Sequence, residues 1–347
     1  MTRFLAALAS LALLAASPPE AKRTLDIYAI DCDGGAATLI VSPEGESILI
    51  DSGWPGRDDR DPKRIVHVLK DVAGRDHLDH LVTTHWHMDH FGGVEGLAKL
   101  VRIDHFWDRG LPGVDGPDSE FPDGPKADDP LGMAYRKASE GKRKVLEAGD
   151  TIPLKGDLKA LVLASGGVVR HIGKRKPPNP LAKDVPIDMD EDRSDNARSL
   201  AIKFTLGRFG FLDCGDLTWN VEKDLVVPYD RIGPVDVYQV THHGMDISNH
   251  QTLVRTIAQT VAIMNNGPKK GGAPATVKLL KSVPSIRAFY ALHKNAKTGP
   301  EDNAEPALTA NADPAGGRFV HVAVRPDGAS YTVQIGEDGP KREFMTK

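Results

Sequence analysis

A run of histidine and aspartate residues after a short apolar stretch constrains this chain more than any other feature. Four metal-ligating side chains fall within six residues, namely His85, His87, Asp89 and His90. The preceding stretch, residues 81–84, is apolar and β-branched, which predicts a buried strand. Because side chains alternate along a strand, we expect His85 and His87 to point the same way where the strand ends. The following turn then directs Asp89 and His90 to a second point nearby.

This supply of ligands suits two metal ions held side by side. Two imidazoles for one ion, and a carboxylate with an imidazole for the other, are typical of a two-metal hydrolase. The alternative is a polar loop that is merely rich in histidine, and the position of the run at a strand end favours the metal site. Nitrogen and oxygen donors accommodate zinc, manganese or iron. We expect two divalent ions, with zinc as the first choice.

The order of the other predicted elements indicates the fold class. Strands come first and strand–helix units follow, which predicts an α+β layered fold. Alternating or apolar patterns predict strands at residues 25–30, 37–42, 47–51, 199–206, 209–212, 235–240, 261–264, 286–292, 319–324 and 330–335. Helical spacing predicts helices at residues 61–72, 94–100, 218–226, 253–258 and 277–281.

Length and composition set the domain organisation and exclude one class of partner. The 347 residues suit a single large domain over residues 22–347. Residues 108–150 are rich in Gly, Pro and Asp, and we predict a surface insertion there, of the kind that often covers a substrate site. The net charge of −4 argues against a general nucleic-acid binder, so no stable nucleic-acid complex is expected.

The first 21 residues have the pattern of a secretory signal peptide. Arg3 supplies the positive charge, and the apolar stretch 4–16 is too short to span a bilayer. No other segment is long and apolar enough to do so. We therefore expect a secreted or periplasmic protein without a membrane span once the signal is removed. The two cysteines, Cys32 and Cys214, form either one disulfide or two buried thiols.

Further motifs recur at predicted strand ends. In order along the chain they are Asp31-Cys32-Asp33-Gly34-Gly35, Leu49-Ile50-Asp51-Ser52-Gly53, Asp195-Asn196-Ala197-Arg198-Ser199-Leu200, Leu212-Asp213-Cys214-Gly215-Asp216 and Thr241-His242-His243-Gly244. Together with the histidine run, this ordered set resembles the metallo-β-lactamase superfamily over about residues 25–335. Within that superfamily the chain is most similar to the hydrolase domain of ComEC-type DNA-uptake proteins and to stand-alone secreted relatives of that domain.

The resemblance implies a four-layer αβ/βα sandwich with the site at the edges of the sheets. It assigns His85 and His87 to the first metal and Asp89 and His90 to the second. Asp216 then bridges the two metals, although an aspartate there also suits the N-terminal cap of the following helix.

The resemblance also implies roles for the paired histidines and for Asp51. The histidine just before the glycine, His243, completes the second metal site, and His242 faces the substrate; the reverse assignment stays open. Asp51 orients a ligand histidine by accepting its second N–H group.

The chain departs from the superfamily at the third histidine of the first site. The corresponding position, 20 residues before Asp216, is Asn196, with Asp195 beside it. Either side chain would have to replace the imidazole, and either is a weaker zinc ligand. The ComEC-type domains share the asparagine feature.

These residues predict an exported hydrolase of phosphoester bonds that uses a metal-bridging hydroxide as its nucleophile. The expected substrate is a phosphoester or another small molecule. Asp89, His242 and Asp216 are the expected catalytic residues. The alternatives are a β-lactamase or lactonase, a metal-binding protein without turnover, and a redox member of the superfamily.

Overall fold

The structure is a computed structural model that describes residues 23–117, 121–170, 177–185, 190–313 and 316–347. The predicted signal peptide, residues 1–21, lies outside the described residues. The described chain forms two large β-sheets, and the first of these contains the strands of both chain ends. Its strands, in chain order, are β1 (Leu25–Ala29), β2 (Thr38–Val41), β3 (Ser47–Ile50), β4 (Leu78–Val82), β5 (Ile103–Asp108), β6 (Arg143–Val145), β16 (Val320–Val324), β17 (Ser330–Ile335) and β18 (Arg342–Met345).

The second sheet is built from the middle of the chain. Its strands are β7 (Thr151–Ile152), β8 (Lys159–Ser165), β9 (Val168–Val169), β10 (Ala201–Leu206), β11 (Phe209–Asp213), β12 (Val237–Gln239), β13 (Val261–Met264), β14 (Ala288–His293) and β15 (Thr309–Asn311). Each sheet has an antiparallel part and a parallel part. The parallel part runs from β3 to β6 in the first sheet and from β11 to β15 in the second.

Helices follow the parallel strands and cover the outer faces of both sheets. They are α1 (Arg60–His67), α2 (Met88–Phe91), α3 (Val94–Leu100), α4 (Pro130–Ser139), α5 (Trp219–Asp224), α6 (Gln251–Ile257) and α7 (Pro274–Ser282). The apolar faces of α1, α3 and α4 pack on the first sheet, and those of α5, α6 and α7 pack on the second. The predicted α+β sandwich of the metallo-β-lactamase type is therefore confirmed.

The main core lies between the two sheets. Alternation along β10 places Ile202, Phe204 and Leu206 in this core, where Phe204 meets Phe211 of β11. The same period places Ile48 of β3 in it. Burying side chains from both sheets in one apolar layer removes a large area from water, and this is the main force that holds the sheets together.

The range 108–150 contains regular structure as well as loops. Within it, α4 begins at Pro130 after Asp129, whose side chain accepts the backbone N–H of Leu131 at 2.9 Å and caps the helix. Strand β6 then extends the first sheet beside β5. Whether this range is an insertion relative to other family members stays a prediction.

Two further sequence questions concern the cysteines and the membrane. Cys32 and Cys214 are both buried free thiols in this structure.

Among the described helices, none combines the length and the hydrophobicity that a bilayer span requires.

Candidate metal centre

The site forms where loops from both sheets meet at the carboxyl ends of their parallel strands. The first sheet contributes Asp51, just after β3, and the run His85–His90 after β4. The second sheet contributes Asp216 after β11 and the pair 242–243 after β12. Open edges of this kind are where α/β sheets place their ligand sites, because the loops there converge while the strands hold them rigidly.

The histidines do not sit on the strand as the alternation argument assumed. Strand β4 ends at Val82, three residues before His85, and the chain then leaves the sheet. His87 precedes the single turn α2 with an extended backbone, and Asp89 and His90 lie within that turn. The premise that the two histidines extend the strand was therefore wrong, although the rings of His85 and His87 do lie side by side with their centroids 4.7 Å apart.

One carboxylate oxygen lies at the centre of four imidazoles. The Oδ2 atom of Asp216 lies 3.2 Å from Nε2 of His90 and 3.3 Å from Nε2 of His243. The Nε2 atoms of His242 and His85 are 3.5 Å and 4.0 Å from the same oxygen. Asp216 is buried. The N-cap of helix α5 is Thr218, so the carboxylate of Asp216 does not cap this helix and instead faces the imidazoles.

A tighter group within this set can hold a single ion. The side chains of Asp89, His90, Asp216 and His243 offer ligand atoms that all lie within 4.8 Å of one another. Nε2 of His243 is 3.1 Å from Oδ2 of Asp89 and 3.2 Å from Nε2 of His90. Two imidazole nitrogens and two carboxylates form a donor set that suits zinc and the other divalent transition metals.

Asp51 fixes the orientation of two of the imidazoles. Its Oδ2 atom accepts the Nδ1 proton of His90 at 2.6 Å and the hydroxyl proton of Thr84 at 2.7 Å. Its Oδ1 atom accepts the backbone N–H of Thr84 at 2.8 Å. Because the Thr84 hydroxyl donates to Asp51, it accepts from Nδ1 of His85 at 3.1 Å. Both imidazoles therefore carry their neutral-form proton on Nδ1 and leave Nε2 free to bind a metal.

The paired histidines are oriented by the same principle. Nδ1 of His243 donates to the backbone carbonyl of Asn265 at 3.0 Å, and a carbonyl can only accept. Nδ1 of His242 lies 3.0 Å from the hydroxyl of Ser248, which donates to the backbone carbonyl of Leu217 and so accepts from the ring. In the neutral form of all four imidazoles, Nε2 carries the lone pair and is the atom that faces Asp216.

Unsatisfied buried atoms at the centre fit the binding of a metal. Nε2 of His85 and the side-chain oxygen of Asn196 are buried and have no hydrogen-bond partner among the residues that the structure describes. Leaving such atoms unpaired costs free energy, and a coordinated ion removes that cost. The residues present therefore fit divalent metal binding.

Electrostatics within the centre hold the carboxylates ionised. Burial by itself would raise the pKa of Asp216, but the imidazoles of His243, His90 and His242 hold it well below its usual range. Burial would also raise the pKa of Asp89, but His90, His243 and a nearby lysine lower that pKa well below its usual range. Ionised carboxylates are the form that binds a metal.

The surroundings of the imidazoles lower the pKa of some of them and raise the pKa of others. Burial lowers the pKa of His85 well below its usual value and lowers that of His242 to about 4. Burial would also lower the pKa of His90, but Asp216 and Asp89 raise it well above its usual value. A proton and a metal therefore compete for the Nε2 atom of His90, whereas His85 and His242 are held neutral.

The structure does not bring every predicted ligand into the centre. Nε2 of His87 lies 3.0 Å from Oδ2 of Asp123, at the partly exposed rim of the site. The amide nitrogen of Asn196 lies 3.4 Å from Nε2 of His242. Asp195 is fully buried and faces elsewhere: it accepts the backbone N–H of Trp86 at 2.6 Å and pairs with an arginine side chain. Of the two replacements considered for the third histidine, only Asn196 lies at the centre.

Sequence reasoning missed one cationic residue of the site, Lys270. Its ammonium contacts Oδ2 of Asp89 and lies 5.1 Å from the centre of the Trp54 ring. It belongs to the loop between β13 and α7, more than 180 residues after the histidine run. The available signal was its position after a parallel strand, next to Gly271 and Gly272.

A cavity of about 340 Å³ opens beside the centre. Its walls are largely aromatic and apolar, with His87 and Asp89 at the side that faces the centre. The lining residues that define it include Trp54, Trp86, Met88, Phe91, Asp123 and Leu131. Residues 123–131 form one wall, so part of the range 108–150 does border the site.

Comparison with known protein families identifies a match to one of them. The family model described as "Metallo-beta-lactamase superfamily" matches residues 30–207, just over half of the chain. No curated protein sequence matches the chain.

Three solved structures illustrate what the chain is similar to. The metallo-beta-lactamase fold protein YhfI from Bacillus subtilis is 10% identical, with 77% of this chain and 95% of that chain covered and a TM-score of 0.43. Igni18, a metallo hydrolase from Ignicoccus hospitalis, is 12% identical, with coverages of 77% and 94% and a TM-score of 0.43. CmlA, a diiron beta-hydroxylase from Streptomyces venezuelae, is 14% identical, with coverages of 72% and 46% and a TM-score of 0.38.

Proposed function

Since the chain belongs to the metallo-β-lactamase superfamily, we propose that it is an exported metal-dependent hydrolase of phosphoester bonds. The observation that carries the proposal is the convergence of four imidazole Nε2 atoms on Oδ2 of Asp216, all within 4.0 Å. When these imidazoles are neutral their Nε2 lone pairs face one another and the carboxylate, and a coordinated cation relieves that repulsion. It suits one or two divalent ions.

The residues of the chain would divide the work of hydrolysis among them. Bound divalent metals supply Lewis acidity and make water nucleophilic at neutral pH. His90, His243, Asp89 and Asp216 would hold them, and His85, whose Nε2 lies 4.0 Å from Oδ2 of Asp216, could add a further ligand. His242 stays neutral because burial lowers its pKa to about 4, and since its proton is on Nδ1 its Nε2 can accept a hydrogen bond at the substrate without adding charge.

The preference for phosphoesters rests on the motifs and on the charge of the site. The sequence His242-His243-Gly244 with Asn196 resembles the nuclease-like and phosphodiesterase members, including the ComEC-type hydrolase domains. The ammonium of Lys270 adds positive charge at the mouth of the centre. Positive charge favours the developing negative charge of phosphoryl transfer. The apolar segment 4–16 after Arg3 supports export to the periplasm or medium.

The test combines metal content with hydrolysis of bis-(p-nitrophenyl) phosphate by the purified mature protein. We expect bound metal and turnover that a chelator abolishes and added metal restores. His85→Ala removes a metal-facing imidazole and should abolish turnover. His67→Ala is the matched control, because His67 is an exposed histidine far from the centre in sequence whose ring pairs with Asp71 at 2.8 Å.

Two other outcomes would replace the proposal. Hydrolysis of nitrocefin or a lactone, with no phosphoesterase activity, would make the protein a β-lactamase or lactonase. Bound metal with no turnover on a broad panel of esters would make it a metal-binding protein. The buried Asn196 in place of a third histidine is the observation that favours this last function.

A further inference from the structure

The loop that carries Lys270 is held rigidly against the metal centre. The backbone N–H of Gly267 donates to the carbonyl of Lys270 at 2.9 Å and closes a tight turn. Gly271 follows with φ at +79°, and a Cβ there would lie 2.2 Å from the backbone oxygen of His243. The loop therefore packs directly against the backbone of His243, whose imidazole faces the metal centre. This contact fixes the position of the loop.

The side chain of Lys270 is held at the boundary between the centre and the solvent. One-third of it is exposed, whereas the carboxylate of Asp89 that it contacts is 8% exposed. The ammonium lies over the Trp54 ring, 5.1 Å from the ring centre. This cation–π contact favours the observed rotamer of Lys270. Trp54 also lines the cavity beside the centre. The charge thus lies where a ligand entering the cavity first meets the centre.

The ammonium has donors to spare for a ligand. A lysine carries three N–H donors, and within the described part of the chain Asp89 is the hydrogen-bond acceptor that Lys270 contacts. Even with Asp51 counted beside Asp89 and Asp216, three carboxylates carry fewer negative charges than two divalent ions carry positive ones, so with both ions bound Lys270 would add to an excess of positive charge. A lysine placed only to stabilise the fold would not be expected on a centre that is already cationic when loaded.

We propose that Lys270 binds the substrate by donating to a non-bridging oxygen of its phosphoryl group. This inference rests on the proposed function, and it names an anionic phosphoryl oxygen as what the site recognises at that position. The rest of the substrate would occupy the adjacent cavity lined by Trp54 and Met88. Lys270 would then set affinity for the anion, while the metal-facing residues would set the rate of the chemical step.

The test uses inorganic phosphate as the probe and calorimetric titration of the metal-loaded protein. Lys270→Met keeps the apolar stem and removes the charge, so phosphate affinity should fall about 10-fold or more. Lys269→Met is the matched control, since Lys269 is the exposed neighbour in the same loop, and its affinity should stay within about twofold of the parent protein. Lys270→Arg retains a donor and a charge and should bind phosphate more tightly than Lys270→Met.

Metal content and the thermal midpoint are measured on each variant. Equal phosphate affinity in Lys270→Met and the parent protein would overturn the inference. So would a loss of bound metal in Lys270→Met equal to the loss of phosphate binding, because Lys270 would then serve only to hold Asp89. Absence of phosphate binding by the parent protein would overturn it as well.

Failure of the proposed function is distinguishable from failure of this inference. If the parent protein binds phosphate through Lys270 but hydrolyses no phosphoester, the proposed function fails and the inference stands. If the parent protein hydrolyses bis-(p-nitrophenyl) phosphate and Lys270→Met leaves both KM and phosphate affinity unchanged, the inference alone fails. The expected result is a raised KM with a smaller change in kcat.

Discussion

Replacing Asp51 by Asn tests whether the orientation of the imidazoles governs metal binding. Asp51 is buried and adopts a left-handed backbone with φ at +60°, which asparagine tolerates, so the substitution leaves the backbone unstrained. The amide oxygen can still accept the backbone N–H of Thr84. The amide NH₂ group, however, replaces the oxygen that accepts from His90 at 2.6 Å and from the Thr84 hydroxyl at 2.7 Å.

In Asp51→Asn, an amide N–H of the new side chain and the Nδ1 proton of His90 would face each other as two donors. To accept from the new amide, the ring must give up its Nδ1 proton and carry the proton on Nε2 instead. Nε2 is the atom that lies 3.2 Å from Oδ2 of Asp216, and a protonated Nε2 does not bind a metal. Loss of such a supporting carboxylate typically weakens metal affinity 10- to 100-fold, or about 1.4–2.7 kcal/mol.

The assay is a zinc titration in competition with a chromogenic chelator. Glu46→Gln is the control, because Glu46 is also a buried carboxylate paired with a histidine, His80, at 3.2 Å, but it lies outside the centre. We expect the loss of affinity in Asp51→Asn only. Zinc affinity within about threefold of the parent protein in a folded Asp51→Asn variant would refute the tautomer argument. An equal loss in Glu46→Gln would show that any buried carboxylate has the same effect.

Three further predictions concern packing, a loop and a buried acid. Phe204→Ala empties a fully buried site between the sheets and should lower the free energy of unfolding by about 3–5 kcal/mol in denaturant titrations. Gly271→Ala forces the loop away from His243 and should lower both the thermal midpoint and zinc affinity, whereas Gly141→Ala, with no atom within 4 Å of its Cβ, should leave zinc affinity unchanged. Burial raises the pKa of Glu222 to about 8, so between its ordinary value near 4.5 and pH 8 the folded protein keeps a proton that the unfolded chain has lost. The contribution of Glu222 to stability should therefore fall as pH rises through that window, by on the order of 1.4 kcal/mol per pH unit at most, and Glu222→Gln should make the slope shallower in unfolding experiments at several pH values. Part of the slope should remain, because burial also raises the pKa of Asp213 to about 7.

The sequence predicts those elements that carry their own periodic pattern. The strand predicted at 261–264 matches β13, and that at 330–335 matches β17. Strands β6 and β7 have only three and two residues, and such short segments take their conformation from the neighbouring strands with which they pair. The sequence analysis did not predict helix α4, because Gly and Pro are frequent in the segment around it. Asp129 followed by Pro130 is nevertheless a pattern typical of a helix N-terminus.

The same distinction applies to the site. The residues around Asp216 were found because each belongs to a local motif at a strand end. Lys270 was missed because its role depends on a contact with Asp89 across 181 positions of sequence, which no local pattern encodes. The direction in which His87 faces was equally beyond the sequence, since it depends on Asp123 in a loop of the range 108–150.

The centre also joins the two halves of the fold energetically. His90 and Asp51 belong to loops of the first sheet, and Asp216 and His243 belong to loops of the second, so no half of the chain holds the cluster alone. A buried carboxylate surrounded by imidazoles is costly unless positive charge balances it, and either a proton on His90 or a bound metal supplies that charge. A metal binds several of these atoms at once and only in the folded chain, so its binding free energy adds to the stability of the contact between the sheets. The same ion that would perform the chemistry would thus hold together the two sheet edges that position it.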